Sequence, residues 1–383
     1  MTANWEDDDM KDYLGTKKPN FGFGLMRLPM IGNDIDLKQV QQMVDLFLAH
    51  GYTYFDTAYG YHNGDSEKVI KDVLVSRYPR ERFQLATKMP AWSSHITCTA
   101  EAEEMFWTSL NRTGAGYFDN YLLHNLGGTR TKCFNDYKLW DFLASQKEKG
   151  LIRRLGFSFH DKADALDEIL AEHPEMDFVQ LQINYADWES LTIESRKCLD
   201  VAKKHRKPVI VMEPIKGGNL SSPPQSVVDI LKKANPNITP SAWALRFATS
   251  LEGVETVLSG MSNLEQIREN LNTMDRYSLL NAAECKAIEL AQAALAASPN
   301  LPCTDCQYCV NGCPAGISIP MIIKALNTML IFDNIDAARG NYGWASVWGA
   351  KASACVACGN CETVCPQHIS IIKEMQQAAS LFE

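Results

Sequence analysis

From about residue 20 to residue 275 the chain alternates short apolar runs with longer stretches whose apolar residues recur every three or four positions. The short runs are rich in β-branched and aromatic residues. They fall at 21–26, 52–55, 83–87, 120–123, 153–157, 178–183, 209–212 and 256–258 and predict eight strands. Residues 37–49 show the helical counterpart: Leu37, Val40, Val44, Phe47 and Leu48 share one face, and Gly51 follows, where a left-handed cap is sterically free. Ser66 precedes Glu67 and the apolar set Val69, Ile70, Val73 and Leu74, which reads as an N-capped helix. Helical patterns continue at 99–110, 138–149, 162–171, 192–205, 225–233 and 264–273. Eight strands, each followed by a helix, over about 250 residues predict an α/β fold, a (β/α)8 TIM barrel. A doubly wound open sheet is the alternative, but no G-x-G-x-x-G follows any strand. Asp56, Lys88, His124, Ser158, Gln182, Glu213 and Gly260 all fall at or just past strand ends. A closed barrel gathers those ends at one face, which favours the barrel.

The pattern changes near residue 300. Residues 279–297 form a long Ala-rich helical stretch, broken by Ser298-Pro299-Asn300. The expected division is an N-terminal extension at 1–19, a barrel with its C-terminal helix at 20–298, and a small domain at 299–383. The small domain carries one cysteine pattern twice. Cys303, Cys306, Cys309 and Cys313-Pro314 form the first run, and Cys355, Cys358, Cys361 and Cys365-Pro366 the second. Three thiols two residues apart let one loop wrap one cube of irons, and the proline after the fourth turns the chain away. The runs resemble those of bacterial two-cluster ferredoxins, in which the fourth cysteine of each run serves the other cube. The resemblance implies one [4Fe–4S] cluster on Cys303, Cys306, Cys309 and Cys365, and a second on Cys355, Cys358, Cys361 and Cys313. Structural zinc or disulfides would not need the third and fourth members of each run, nor the prolines. Residues 320–333 and 371–381 read as helices, and the segment between the runs is longer than a compact β-type ferredoxin needs, so a mostly helical ferredoxin-like domain is expected.

Composition narrows the function classes. With 383 residues and 46% hydrophobic content the chain can bury a large core. A net charge of −9 argues against a nucleic-acid partner. No apolar run reaches the length of a membrane span, and the opening from Met1 to Asp9 is polar and acidic, without the apolar core of a secretory signal, so a cytoplasmic location is expected. Cys98, Cys133, Cys198 and Cys285 lie outside the two runs and are expected to be small buried hydrophobes.

The stretch Phe55-Asp56-Thr57-Ala58-Tyr59-Gly60-Tyr61, with Gly64-Asp65-Ser66-Glu67 beyond it, resembles the aldo/keto reductase motif. So do Ala86-Thr87-Lys88, Asp119-Asn120-Tyr121-Leu122-Leu123-His124, and the entry Gly22-Phe23-Gly24 with Arg27-Leu28-Pro29. The resemblance spans roughly 20–275 and supplies, in order, the four members of that family's catalytic tetrad: Asp56, Tyr61, Lys88 and His124. The chemistry stands without the name. Hydride delivery to a carbonyl carbon leaves charge on oxygen, and a proton must arrive there. A tyrosine of ordinary pKa, about 10, is a poor donor at neutral pH, and a nearby ammonium lowers it. Asp56 would keep Lys88 charged and placed, and His124 would orient the carbonyl oxygen.

The resemblance also implies a nicotinamide site. Ser158 and Gln182 match residues that hold the nicotinamide amide, although Phe159 stands where an asparagine is usual, with His160 after it. Met212 takes the place of the aromatic that stacks on the ring. The segment from Glu213 and Pro214 to Gly217 and Gly218 resembles the loop over the pyrophosphate. Gly260, Ser262, Gln266, Glu269 and Asn270 belong to a helix start resembling the adenosine end, whose N–H groups suit a phosphate. Gly260 and Gln266 stand where many members carry the lysine and arginine that clamp the 2′-phosphate, which leaves NADP(H) and NAD(H) both open, with a slight lean to NADP(H).

The expected function is oxidoreduction of a small-molecule carbonyl or alcohol with a nicotinamide cofactor, in a barrel carrying two appended [4Fe–4S] clusters. Cubanes pass single electrons and nicotinamide passes two, so direct exchange needs a converter such as a flavin, for which no separate domain is visible. The clusters either staple the small domain or relay electrons from a one-electron donor such as a ferredoxin. The alternative is an iron–sulfur electron-transfer or redox-sensing protein that uses the barrel to bind a ligand or flavin.

Overall fold

The computed structural model of the protein describes residues 20–93 and 96–383. The expected extension at 1–19 lies outside the described residues. The chain separates into two compact units. One comprises residues up to Ile215 with Ser241–Asn281, and the other comprises Lys216–Pro240 with Ala282–Glu383.

In the first unit all eight predicted strands form: β1 (Asn20–Gly24), β2 (Tyr54–Asp56), β3 (Gln84–Met89), β4 (Phe118–Leu126), β5 (Ile152–Phe159), β6 (Phe178–Gln182), β7 (Val209–Met212) and β8 (Val254–Gly260). They pair in parallel in the order β1-β8-β7-β6-β5-β4-β3-β2, and β1 pairs with β2 to close a (β/α)8 barrel. Helices α1 (Leu37–Ala49), α2 (Asp65–Ile70), α3 (Thr99–Thr113), α4 (Thr129–Asp136), α5 (Leu139–Glu148), α6 (Ala163–Glu172) and α7 (Ser195–Lys204) follow the strands up to β6. Helix α1 ends as its sequence predicts, with Gly51 at φ +83° and its N–H donating to Leu48 O.

Tyr54, Ala86, Leu122, Phe178, Ile210 and Leu258 fill the barrel axis. A Cβ on Gly22 would lie 2.3 Å from Leu258 Cδ2, and one on Gly156 would lie 2.5 Å from Phe178 O. These two glycines are therefore the spaces that their neighbours' side chains and backbone occupy. Outside the barrel wall, Phe21, Phe23, Phe47, Tyr52 and Phe55 interlock at ring separations of 5.3 to 6.1 Å between β1, β2 and α1. The axis is packed solid, so ligands are confined to the strand-end rim.

In the second unit, α8 (Gln225–Ala234) packs with α11 (Ala282–Ala296), and Asn235 Nδ2 donates to the buried Glu284 carboxylate at 3.3 Å. The remaining helices are α12 (Tyr308–Asn311), α13 (Ile319–Phe332), α14 (Ile335–Trp348), α15 (Asn360–Thr363) and α16 (Ile371–Phe382). Their core joins Ile317, Ile322, Ile323, Leu326, Tyr342 and Met375, with Cys309 and Cys361 among them. The expected mostly helical character holds.

The structure differs from the pattern reading in several places. Met30–Ile31 and Asp34–Ile35 form a two-stranded ribbon too short to show in the pattern. Helices α9 (Pro240–Thr249), α4 and α14 were not predicted, and α10 (Leu264–Asp275) runs slightly past its expected end. Ser66 is not an N-cap: Gly64, at φ +93°, precedes the helix, and Ser66 Oγ instead bonds Leu25 O at 3.1 Å and Thr57 Oγ1 at 2.8 Å. Packing places α11 with the second unit, whereas the composition break falls after it. Of the four scattered cysteines only Cys198 is buried. Cys133 is half-buried, and Cys98 and Cys285 are exposed, because they fall on outer faces of their segments. Among the described residues no helix is long and apolar enough to cross a membrane.

Candidate active site and cluster cavities

The strand ends of β2, β3 and β4 bring the four tetrad candidates together. Asp56 closes β2, Lys88 lies in β3 and His124 in β4, while Tyr61 stands on the short turn Tyr61–Gly64. Lys88 is fully buried and donates to Asp56 Oδ1, to Thr57 O at 2.7 Å and to Tyr61 Oη at 3.4 Å. Its three ammonium protons are thus used by a carboxylate, a carbonyl and the phenol. Gln180 Nε2 donates to the other Asp56 oxygen at 3.1 Å, so the carboxylate is fixed from two sides. The Tyr61 ring stands edge-on to His124 with centroids 5.9 Å apart. The backbone holding it is strained: His62 and Asn63, neither a glycine, both adopt left-handed conformations at φ +50° and +55°.

The electrostatics follow from burial and pairing. Burial lowers the Lys88 pKa, but Asp56 and Tyr61 together outweigh it and the net shift is upward, so the ammonium stays charged. The Tyr61 pKa is raised by burial, against the downward pull of Lys88. This reverses the sequence expectation, in which the lysine dominated. The phenol therefore stays protonated across the neutral range. The His124 pKa is held well below the usual value by burial and then by Lys88, so its ring is neutral. His124 Nδ1 is buried without a hydrogen-bond partner. Trp92 Nε1 donates to His124 O at 2.7 Å and walls this side of the site.

Ser158 and Gln182 end β5 and β6 and are both buried. Ser158 Oγ accepts from the Asn125 N–H at 2.7 Å, which leaves its own proton to donate elsewhere. Gln182 Nε2 donates to Asp187 Oδ2 at 2.9 Å, and Asn184 Nδ2 donates to the same oxygen at 2.8 Å. A carboxylate only accepts, so the Gln182 amide is oriented with Oε1 turned away from Asp187. Phe159 is buried, with its ring centroid 6.4 Å from that of Phe157. Met212 ends β7, and Pro214 beyond it is buried. Gly217 and Gly218, at φ +63° and +100°, lie on a turn of the second unit. Gly260 is exposed at the end of β8. At the start of α10, Asn263 Oδ1 accepts from Gln266 N at 2.9 Å, and Gln266 Oε1 accepts from Ser262 N at 2.7 Å. Asn270 Nδ2 donates to Ser259 Oγ at 3.1 Å, and Glu269 is partly exposed on the same helix. Sequence reasoning did not single out Gln180, Asn184, Asp187 or Trp92. Of these, Asn184 and Asp187, two polar residues just past β6, offered a signal.

The second unit sorts the eight cysteines into two cavities. One is ringed by Cys303, Cys306, Cys309 and Cys365 beside Pro366. The other is ringed by Cys355, Cys358, Cys361 and Cys313 beside Pro314. In each, three cysteines of one run meet the fourth of the other. Cys313 Sγ also accepts from the Ile317 N–H at 3.5 Å. Burial pushes the Cys309 thiol up to about 12 and raises those of Cys303 and Cys361. All eight thiols are free of disulfides. Four soft ligands around each hollow fit an iron–sulfur cube.

A closed eight-stranded parallel barrel with polar strand ends and a helical unit with two four-thiol cavities define a TIM-barrel protein with an appended four-thiol domain. The aldo/keto reductase family profile matches residues 20–292, and a 4Fe-4S dicluster domain profile matches residues 302–370. The chain belongs to the aldo/keto reductase family and carries a C-terminal 4Fe-4S dicluster domain. It is 28% identical over 252 residues to an aldo-keto reductase of Mycolicibacterium vanbaalenii, covering 65% of this chain and 83% of that protein. It is 23% identical to an uncharacterized oxidoreductase of Bacillus subtilis, covering 64% and 85%. Among solved structures, the holo form of an aldo-keto reductase from Bacillus halodurans superposes with a TM-score of 0.58 at 22% identity, covering 71% of this chain and 91% of that one. A Klebsiella pneumoniae aldo-keto reductase in complex with NADPH superposes with a TM-score of 0.55 at 23% identity, covering 72% and 91%.

Proposed function

We propose that the barrel reduces a small carbonyl compound, or oxidises the corresponding alcohol, with NADP(H) or NAD(H), and that Asp56, Tyr61, Lys88 and His124 carry the chemistry. The observation that carries this reading is the buried chain Asp56–Lys88–Tyr61 ending beside a neutral His124. When bound, the nicotinamide supplies a hydride. The residues of this chain then do the rest. Neutral His124 has one ring N–H to donate to a carbonyl oxygen and so orients it. Tyr61 Oη holds the proton that the oxygen must gain, and burial keeps it there until negative charge develops nearby. Lys88 stabilises the phenolate left behind, and Asp56 with Gln180 keeps that ammonium in place.

The pair Ser158 and Gln182 supports a carboxamide ligand. The Ser158 hydroxyl is free to donate and the oriented Gln182 Oε1 accepts, the complement of a C=O and an NH2 on one planar group. Met212 and Pro214 would face the ring and its ribose, and Gly260, Ser262, Gln266, Glu269 and Asn270 the phosphates and adenosine. Two [4Fe–4S] clusters would occupy the cavities, and a one-electron donor such as a ferredoxin is the partner that suits them. We place the division between barrel and cluster domain at Ser298–Asn300 and the protein in the cytoplasm.

The test is nicotinamide-dependent reduction of small aldehydes by protein purified without oxygen, compared with Tyr61→Phe. The variant should lose about 10²–10⁴ in kcat while binding NADPH normally. Undiminished turnover in the variant would remove Tyr61 from the mechanism.

A further inference from the structure

We infer that Arg27 holds a phosphate group of the dinucleotide at the rim between β1 and β8; this rests on the nicotinamide reading above. The two strands pair through Gly24 and Gly260 at their ends, so no side chain of either covers the backbone there. The Gly24 position lies close to its neighbour: a Cβ on it would be 3.4 Å from Gly260 N. Cover comes instead from the turn Leu25–Arg27. A Cβ on Gly260 would meet Arg27 Cδ at 3.5 Å and its Cβ and Cγ at 3.6 Å. The Arg27 methylenes thus pack at van der Waals distance beside the bare Gly260. The turn itself is pinned by Ser66 Oγ donating to Leu25 O at 3.1 Å.

The Arg27 side chain is exposed and, among the described residues, makes no hydrogen bond or ion pair. From Gly260 to Ile267 the sequence has no lysine or arginine and Glu265 adds a negative charge; Arg268 follows within α10. The N–H groups at the start of α10 are partly used: Asn263 accepts from Gln266 N, Gln39 accepts from Leu264 N, and just ahead of the helix Gln266 accepts from Ser262 N. An arriving phosphate therefore meets fewer free backbone donors than a bare helix start offers. A guanidinium presents a planar fork that grips phosphate oxygens in pairs. Arg27 is the cation already standing over the bare strand ends, and no existing ion pair must break for it to act.

The experiment is equilibrium titration of NADPH, and separately of NADH, into the full-length protein with its clusters kept intact, read by fluorescence rather than turnover. Arg27→Met keeps the stem on Gly260 and removes the charge. Its Kd should rise about 10- to 100-fold, the range for a lost hydrogen bond to a charged group. A rise confined to NADPH assigns the 2′-phosphate, and an equal rise for both assigns the pyrophosphate. Gly260→Lys in the Arg27→Met background returns a cation to the same place. Position 260 has ordinary backbone and only van der Waals neighbours, so the lysine fits and should recover most of the affinity. Gly260→Lys alone should tighten NADPH, which keeps the test sound if Arg27→Met folds poorly. Normal wild-type binding with an unchanged Kd in Arg27→Met overturns the Arg27 assignment and leaves the nicotinamide reading standing. Wild-type protein that binds neither dinucleotide overturns both.

Discussion

The barrel rim and the cluster unit treat buried polar atoms in opposite ways. At the rim the buried charges are already paired: Lys88 is held by Asp56, Thr57 and Tyr61, and Asp187 by Gln182 and Asn184. In the cluster unit, by contrast, eight thiols face two hollows. The first site is complete before its ligand arrives, and its ligand can come and go. The second has a core built around a space, and such small metal-lined domains fold with their metal.

The largest effect should therefore come from stripping iron. Protein kept under argon should carry about eight irons per chain, four for each cube. Chelation should raise hydrogen exchange throughout α12 to α16 while β1 to β8 stay protected. Equal protection before and after would break the contrast.

Lys88→Met tests the barrel side. Removing one partner leaves the Asp56 carboxylate buried and uncompensated, at a cost of about 3–5 kcal/mol. The barrel's Tm should fall clearly while the iron content is unchanged. A Tm within experimental error of wild type would mean the pair is not the closed unit described here.

Asp187→Asn is subtler. Asparagine can donate as well as accept, so Gln182 is no longer forced to turn its oxygen outward. Nicotinamide binding should weaken about tenfold, the worth of one neutral hydrogen bond. A Kd equal to wild type would detach Asp187 from cofactor binding.

The smallest effect is one of pH. His124 is neutral when folded, with its pKa lowered, whereas an unfolded histidine takes up a proton near about pH 6.5. Below that value the unfolded chain binds the extra proton, so barrel stability should decline as pH falls, until the buried ring itself titrates. Above it, His124 contributes no slope. His124→Gln should flatten the acid limb of denaturant midpoints measured from pH 7 to pH 5.

The parts of the molecule legible in the sequence are those whose signal is local. Each barrel strand is a short apolar run, and the tetrad candidates sit in three short motifs at strand ends or on the turn just beyond one. Helix α9 was missed because Ser241 through Thr249 are all buried, leaving no polar face and hence no period to see. Helix α14 contains Gly340 and Gly343, which lower helix propensity, and is set instead by Asn334 capping Ala337 N at 3.0 Å. The contacts of Gln180 and Trp92 were not legible, because their partners Asp56 and His124 lie 124 and 32 residues away in sequence. The pKa direction of Tyr61 was misjudged for the same reason: the lysine is visible in a motif, but the burial that outweighs it is a property of the whole rim.

The chain's path between the units has a practical consequence. Residues Lys216–Pro240 leave the barrel sequence after β7, join the second unit, and are followed by a return to the first with Ser241. A gene fragment that stops at the end of the barrel would therefore carry α8 without α11, exposing the Val227 and Leu231 face that is buried in the full chain. A fragment beginning at residue 299 would lack both helices. Neither piece is a clean module for transplantation.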